Sequence, residues 1–108
     1  NENLFFTYDI GHSIVDHENL TDLDQYFVDE IRNIHLHTCD KMGNDHKPIY
    51  KKDYRWNEII KAILFLKNKD YQYNITFEYD LYECEGNNIE EKIKKYLDSI
   101  DLISERFN

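Results

Sequence analysis

Three short runs of β-branched and aromatic residues, each closing on an acid or an imidazole, alternate along this chain with stretches whose apolar residues recur at helical spacing. Residues 4–10 carry Asp9, residues 34–37 carry His35 and His37, and residues 73–79 carry Glu78. Alternation of this kind folds as βα units, whose strands pair in parallel through right-handed crossovers. The expected class is therefore α/β, with three consecutive βα units. In such sheets the carboxyl ends of the strands share one edge, and that edge is where α/β folds build their sites. Asp9, His35 and Glu78 are expected to meet there.

Local signals place the helices between the runs. Residues 4–10 read as a strand buried on both faces. Thr21 with Asp24 resembles a capping box, after which Leu23, Tyr26, Phe27 and Ile31 share one helical face. The two-residue period of a strand puts His35 and His37 on one side of the second strand. Residues 38–52 lack periodicity and hold Gly43, Asn44 and Pro48, which predicts a long βα loop. Asp53 is placed to cap a helix striped with Trp56, Ile59, Ile60, Ile63 and Leu64 and ended by Asn68, Lys69 and Asp70. Along the third strand, Glu78 shares a face with Thr76 and Asn74, opposite Ile75, Phe77 and Tyr79. Beyond Gly86, Asn87 and Asn88 a last helix carries Ile89, Ile93, Tyr96, Leu97 and Ile100, with Glu90 and Glu91 favouring its amino end.

The segment Asp9-Ile10-Gly11-His12, the stretch from His35 to His46, and Glu78 within Ile75-Thr76-Phe77-Glu78-Tyr79 resemble the carboxyl-terminal part of the sugar isomerase/epimerase and endonuclease IV superfamily. These are xylose isomerase-like TIM barrels, and the resemblance covers nearly the whole chain. It implies that the three βα units are the C-terminal part of a (β/α)8 barrel, with residues 1–108 a single partial domain. Such a barrel takes about 250 residues. This chain has 108 and does not begin with Met, so the expectation is a fragment, inactive by itself, of a parent that continues upstream.

The resemblance also implies a divalent metal, Mn, Mg, Co or Zn, which holds and polarises two adjacent substrate oxygens through carboxylate and imidazole ligands with open positions. Its ligands would be Asp9, His35 and Glu78. Glu78 would also be catalytic, moving a proton beside a carbonyl together with a carboxylate on a strand this chain lacks. His12 and Lys41 would contact the sugar substrate, with Lys41 standing where the epimerases carry Arg and offering no planar fork. The endonuclease branch instead uses His12 and His46 for additional zinc, with an Asp two positions before the loop His. Asn44 stands there, a poor zinc ligand, and Asp45 is out of register. The implied function is a metal-dependent sugar isomerase or epimerase, with a zinc-dependent hydrolase of abasic DNA as the alternative. Without a metal the same acids and imidazoles would be a hydrogen-bonded polar cluster. His37 is expected beside the ligands or lining the barrel, His17 on a surface loop, and Trp56 in the core.

A net charge of -9 speaks against a nucleic-acid partner, which draws on clustered cations. Lys47, Lys51, Lys52 and Arg55 form one basic cluster, in the loop after His46. With 41% apolar and 32% charged residues, and no apolar run near the roughly 20 residues of a membrane span, the composition predicts a cytoplasmic protein. Cys39 and Cys84 are too few for a disulfide framework. Three parallel strands leave two edges and a face open, so a second copy, or the missing part of the barrel, is expected to cover them.

Overall fold

The computed structural model describes residues 5–15, 20 and 25–108. Strands β1 (Phe6–Asp9), β2 (Ile31–Leu36) and β3 (Asn74–Phe77) form one parallel sheet in the order β1-β2-β3. Helix α1 (Ile10–Val15) follows β1, and α2 (Gln25–Asp29) leads into β2. Helix α3 (Trp56–Asn68) joins β2 to β3. After a 3-10 turn at Leu81–Glu83 comes α4 (Ile89–Ser104), followed by another 3-10 turn at Glu105–Phe107. The architecture is α/β, as the alternation of periods requires.

The pleat sorts side chains into two faces. Tyr8 lies opposite Ile34, Ile34 opposite Ile75, and Leu36 opposite Phe77. These residues pack with Ile59, Ile63 and Leu66 of α3 and Ile103 of α4 into the core, where each fully buried aliphatic side chain contributes about 1.5–3 kcal/mol. Ser99 of α4 is also buried, and its hydroxyl both accepts from the Ile49 N–H at 3.1 Å and donates to the Ile49 carbonyl, tying the loop after β2 to the last helix. The other face of the sheet carries Thr7, Asp9, Asn33, His35, Asn74 and Thr76, and Thr7, Asn74 and Thr76 are exposed.

Several local expectations are corrected. The first strand is not buried on both faces, since Thr7 is exposed, and Ile10 opens α1 instead of closing β1. Ile31 belongs to β2, where it pairs with Phe6 and is buried, and not to a helical face. Phe27 is half exposed, while Thr21, Leu23 and Asp24 lie outside the described residues. Asp53 accepts the Arg55 N–H at 2.8 Å in the turn before α3, whose cap position is Arg55. Leu64 is half exposed and Leu66 takes its place in the core, because the covered arc of α3 runs through Ile59, Ile63 and Leu66. Ile89, Ile93 and Leu97 are similarly exposed: α4 seats only Ser99 and Ile103 fully, so one flank of its wide apolar arc faces outward. Asn88 caps α4, accepting the Glu91 N–H at 2.9 Å. Cys39 and Cys84 are free and buried. No helix among the described residues is long and apolar enough to cross a membrane.

Candidate functional site

Strand register assembles the site. Asp9 lies opposite His35 and His35 opposite Thr76, with Glu78 two residues further along the same face. Asp9 closes β1 and caps α1: its Oδ1 accepts the His12 N–H at 2.8 Å, and its Oδ2 lies 2.9 Å from His12 Nδ1. The Asp-x-x-His spacing is thus that of a helix cap and the third residue of its helix, which brings the imidazole back over the carboxylate. His35 Nδ1 contacts Glu78 Oε1 and lies 3.9 Å from Asp9 Oδ2. Its Nε2 is 3.0 Å from Asn33 Nδ2, and the Thr76 hydroxyl donates to Asn33 Oδ1 at 3.2 Å. A flip of the Asn33 amide serves either tautomer, so Asn33 fixes the ring plane whichever nitrogen carries the proton.

The loop after β2 is ordered from within. Thr38 and Lys47 exchange two backbone hydrogen bonds of 3.0 Å. The Asp40 carboxylate accepts the Met42 and Asn44 N–H groups, and Gly43 turns the chain at φ 86°. This bridge returns His46 to His37, with the rings stacked at 4.5 Å between centroids. His46 itself adopts φ 56°, a left-handed conformation costing about 1–2 kcal/mol in a residue with a Cβ. From there its Nε2 lies 3.5 Å from Glu78 Oε2, and its Nδ1 lies 2.9 Å from Asp45 Oδ1. The other Asp45 oxygen is 3.2 Å from His12 Nε2. Asp45 therefore joins the site between His12 and His46, although its sequence position is one residue away from the expected register.

His37 is fully buried beneath these groups. The His46 N–H donates to its Nδ1 at 3.2 Å, so the neutral ring carries its proton on Nε2, which faces Asp9 Oδ1 at 3.0 Å but out of line for a hydrogen bond. Burial pushes the His37 pKa down, only partly offset by the Asp9 charge, and keeps the ring neutral. His37 thus lies against Asp9 as a neutral ring without bonding to it. For His12, the lowering by partial burial is outweighed by the Asp45 hydrogen bond and the Asp9 charge, and its pKa is raised. The His12 hydrogen bond in turn holds Asp45 below the usual carboxylate range.

Among the described residues, two groups bring one ligand atom each within 4.8 Å of one another: Asp9, His35 and Glu78, and His12, His37 and His46. The first is a mixed carboxylate and imidazole set suited to Mn, Mg, Co or Zn. In the second, His37 Nδ1 already receives the His46 N–H, which makes Asp45 the better companion to His12 and His46. Lys41 is placed elsewhere, its ammonium 5.3 Å from the centroid of the Tyr54 ring. Trp56 packs against the core, and His17 lies outside the described residues.

Gly11 escaped the reading of the sequence. A Cβ there would sit 2.2 Å from His37 Nδ1 and Cε1, so only glycine lets that ring lie under α1. The signal was the Gly inside Asp-x-Gly-His, which reads as a loop residue until α1 is known. No known protein family, curated protein or solved structure matches this chain.

Proposed function

We propose that the chain is the carboxyl-terminal part of a metal-dependent sugar isomerase or epimerase, with Asp9, His35 and Glu78 holding the ion. The observation that carries this reading is the convergence of those three side chains, one from each of three adjacent parallel strands, at their carboxyl ends. When bound, the ion supplies polarisation of a carbonyl and an anchor for the adjacent hydroxyl. Glu78 presents one oxygen to His35 and the other to His46, is partly open to solvent, and is the group that takes and returns the proton beside that carbonyl. His12, half exposed at the rim, reaches a substrate hydroxyl. Lys41, whose ammonium lies 5.3 Å from the centroid of the Tyr54 ring, is the other proposed substrate contact. Asn33 holds His35 in place, as outer partners of ligands do. A second carboxylate, needed on the other side of the reacting carbon, comes from the part of the barrel upstream.

The full-length protein with Mn is expected to interconvert a ketose or keto-inositol with its isomer, whereas these residues alone are inactive. Absence of exchange of the proton beside the carbonyl, across ketoses and keto-inositols with the metal-loaded protein, would overturn the reading. A second reading, a zinc-dependent phosphodiester hydrolase, is favoured by one observation, the placement of Asp45 between His12 and His46 beside the first group, because paired metal sites suit in-line displacement at phosphorus. The charge of -9 weighs against a DNA substrate. Cleavage of abasic duplex DNA by the zinc-loaded protein would reverse the order of the two readings.

A further inference from the structure

The loops that follow β2 and β3, residues 37–55 and 78–88, hold five Lys and Arg cations and seven carboxylates. Two of the lysines are held by acids of the second loop. Lys47 lies 2.6 Å from Glu83 and 3.9 Å from Asp40, and its pKa is raised, first of all by the Glu83 hydrogen bond. Lys52 contacts Glu85. Lys41 and Arg55 face the Tyr54 ring, 5.3 and 5.0 Å from its centroid, and Lys51 is exposed in the turn before α3.

The helix ends in the second loop are closed by acids as well. Asp80 caps the 3-10 turn, its Oδ1 accepting the Tyr82 N–H at 3.0 Å. At the start of α4, Asn88 accepts the Glu91 N–H, and Glu91 Oε2 reaches back to accept the Asn87 N–H at 2.6 Å. Gly86, at φ 146°, makes room for this return, since a Cβ there would sit 2.8 Å from Glu91 Cβ.

Lysines and free N–H groups in these places are what a phosphate would use. In (β/α)8 enzymes a substrate phosphate is commonly held by the loops after the last two strands and the amino end of a short helix. On the reading proposed above β2 and β3 are those two strands, and the present inference rests on that reading. Glu83 and Glu85 occupy the lysines, while Asp80 and Glu91 occupy the N–H groups. A phosphate that drew Lys47 away would leave Glu83 unpaired beside a second anion, and like charges at such distances repel. The sheet face beside Asp9, His35 and Glu78 instead offers Thr7, Asn33, Asn74 and Thr76, uncharged groups that donate and accept as sugar hydroxyls do.

We infer that the site takes an uncharged polyhydroxy ketone and rejects its phosphate ester, with Glu83 and Glu85 as the specificity determinants that hold the phosphate-binding lysines. Titration of inorganic phosphate into the 15N-labelled chain and its E83Q/E85Q variant tests this without recourse to activity. Both side chains are partly exposed, 41% and 49%, so the exchange leaves the core untouched. The amides of Lys47, Lys52 and Tyr82 are expected to show no saturable shift in the parent, and a saturable one in the variant, with phosphate bound roughly tenfold more tightly or better. Saturable binding by the parent at these amides, or a variant that binds phosphate no better, would overturn the inference and leave the metal reading standing. For the metal-loaded protein, kcat/KM for each ketose or keto-inositol is expected to exceed that for its phosphate ester by roughly tenfold or more. The reverse order would also overturn the inference, whereas turnover of neither counts against the isomerase reading and leaves the phosphate titration to decide.

Discussion

Gly11→Ala is the sharpest test of how the site is packed. Gly11 lies in α1 without a positive φ, so by helix propensity alone alanine would stabilise the chain by about 0.5–1 kcal/mol. The space around it says the opposite. The added Cβ would lie 2.2 Å from His37 Cε1 and Nδ1 and 2.4 Å from Nε2, and the ring would have to retreat by roughly 1 Å to reach ordinary contact. It is fully buried, stacked on His46 at 4.5 Å and bonded to the His46 N–H, so no retreat is free. Overpacking costs about 1–3 kcal/mol, and loss of the hydrogen bond to His46 adds about 0.5–1.5 kcal/mol. The propensity gain offsets the smaller of these, leaving a net loss of about 1–3 kcal/mol. Urea unfolding followed by circular dichroism reads it, and the midpoint of thermal unfolding should fall by about 4–8 °C for each kcal/mol lost. In a His37→Ala background the same change should become neutral or favourable, since the clash is gone. A G11A chain as stable as the parent, or an equal cost with and without His37, would refute the packing described.

Other perturbations read separate parts of the structure. Ser99→Ala removes the bonds of the Ser99 oxygen to the buried Ile49 N–H and to the Tyr79 hydroxyl, 3.0 Å away, and should cost about 1–3 kcal/mol in urea unfolding; a loss within error of zero would show that Ser99 does not anchor α4. Burial raises the pKa of Tyr50 and Tyr71 from 10.0 to about 12, and that of Tyr79 further. The unfolded chain ionises first, so this stability is fully present below pH 10 and is lost as pH rises towards 12. Absorbance titration should accordingly show late-ionising tyrosines among the nine, and a single transition near 10.0 would contradict the burial. Phe5, Ile93 and Leu97 expose about half of their surface, so light scattering at micromolar concentration is expected to give a symmetric dimer. A monodisperse monomer would count against a second copy as the cover.

The order of strands and helices was legible because the two periodicities, two and near four, switch cleanly along the chain. The shared edge of Asp9, His35 and Glu78 follows from that order, as does the common face of Asn74, Thr76 and Glu78. The rest depends on contacts that no local pattern encodes. Helix α1 is a short helix set by its Asp9 cap, and its apolar residues continue the run of β1, so Ile10 reads as strand. Ile31 fits a helical face by spacing, yet pairing with Phe6 outweighs that preference. Which flank of α4 is covered depends on what lies beside it, and Ile89, Ile93 and Leu97 read the same buried or exposed. Asp45 enters the site through the left-handed backbone of His46, a choice made by the loop's own hydrogen bonds.

The central claim is that Asp9, His35 and Glu78 form a metal site, and calorimetric titration with Mn tests it most directly. One tight site per chain is predicted. Because even the partner of a ligand is worth about 10- to 100-fold in metal affinity, Asn33→Ala should weaken the site within that range, and His35→Ala should weaken it further. Mn binding in H35A equal to that of the parent would contradict the account.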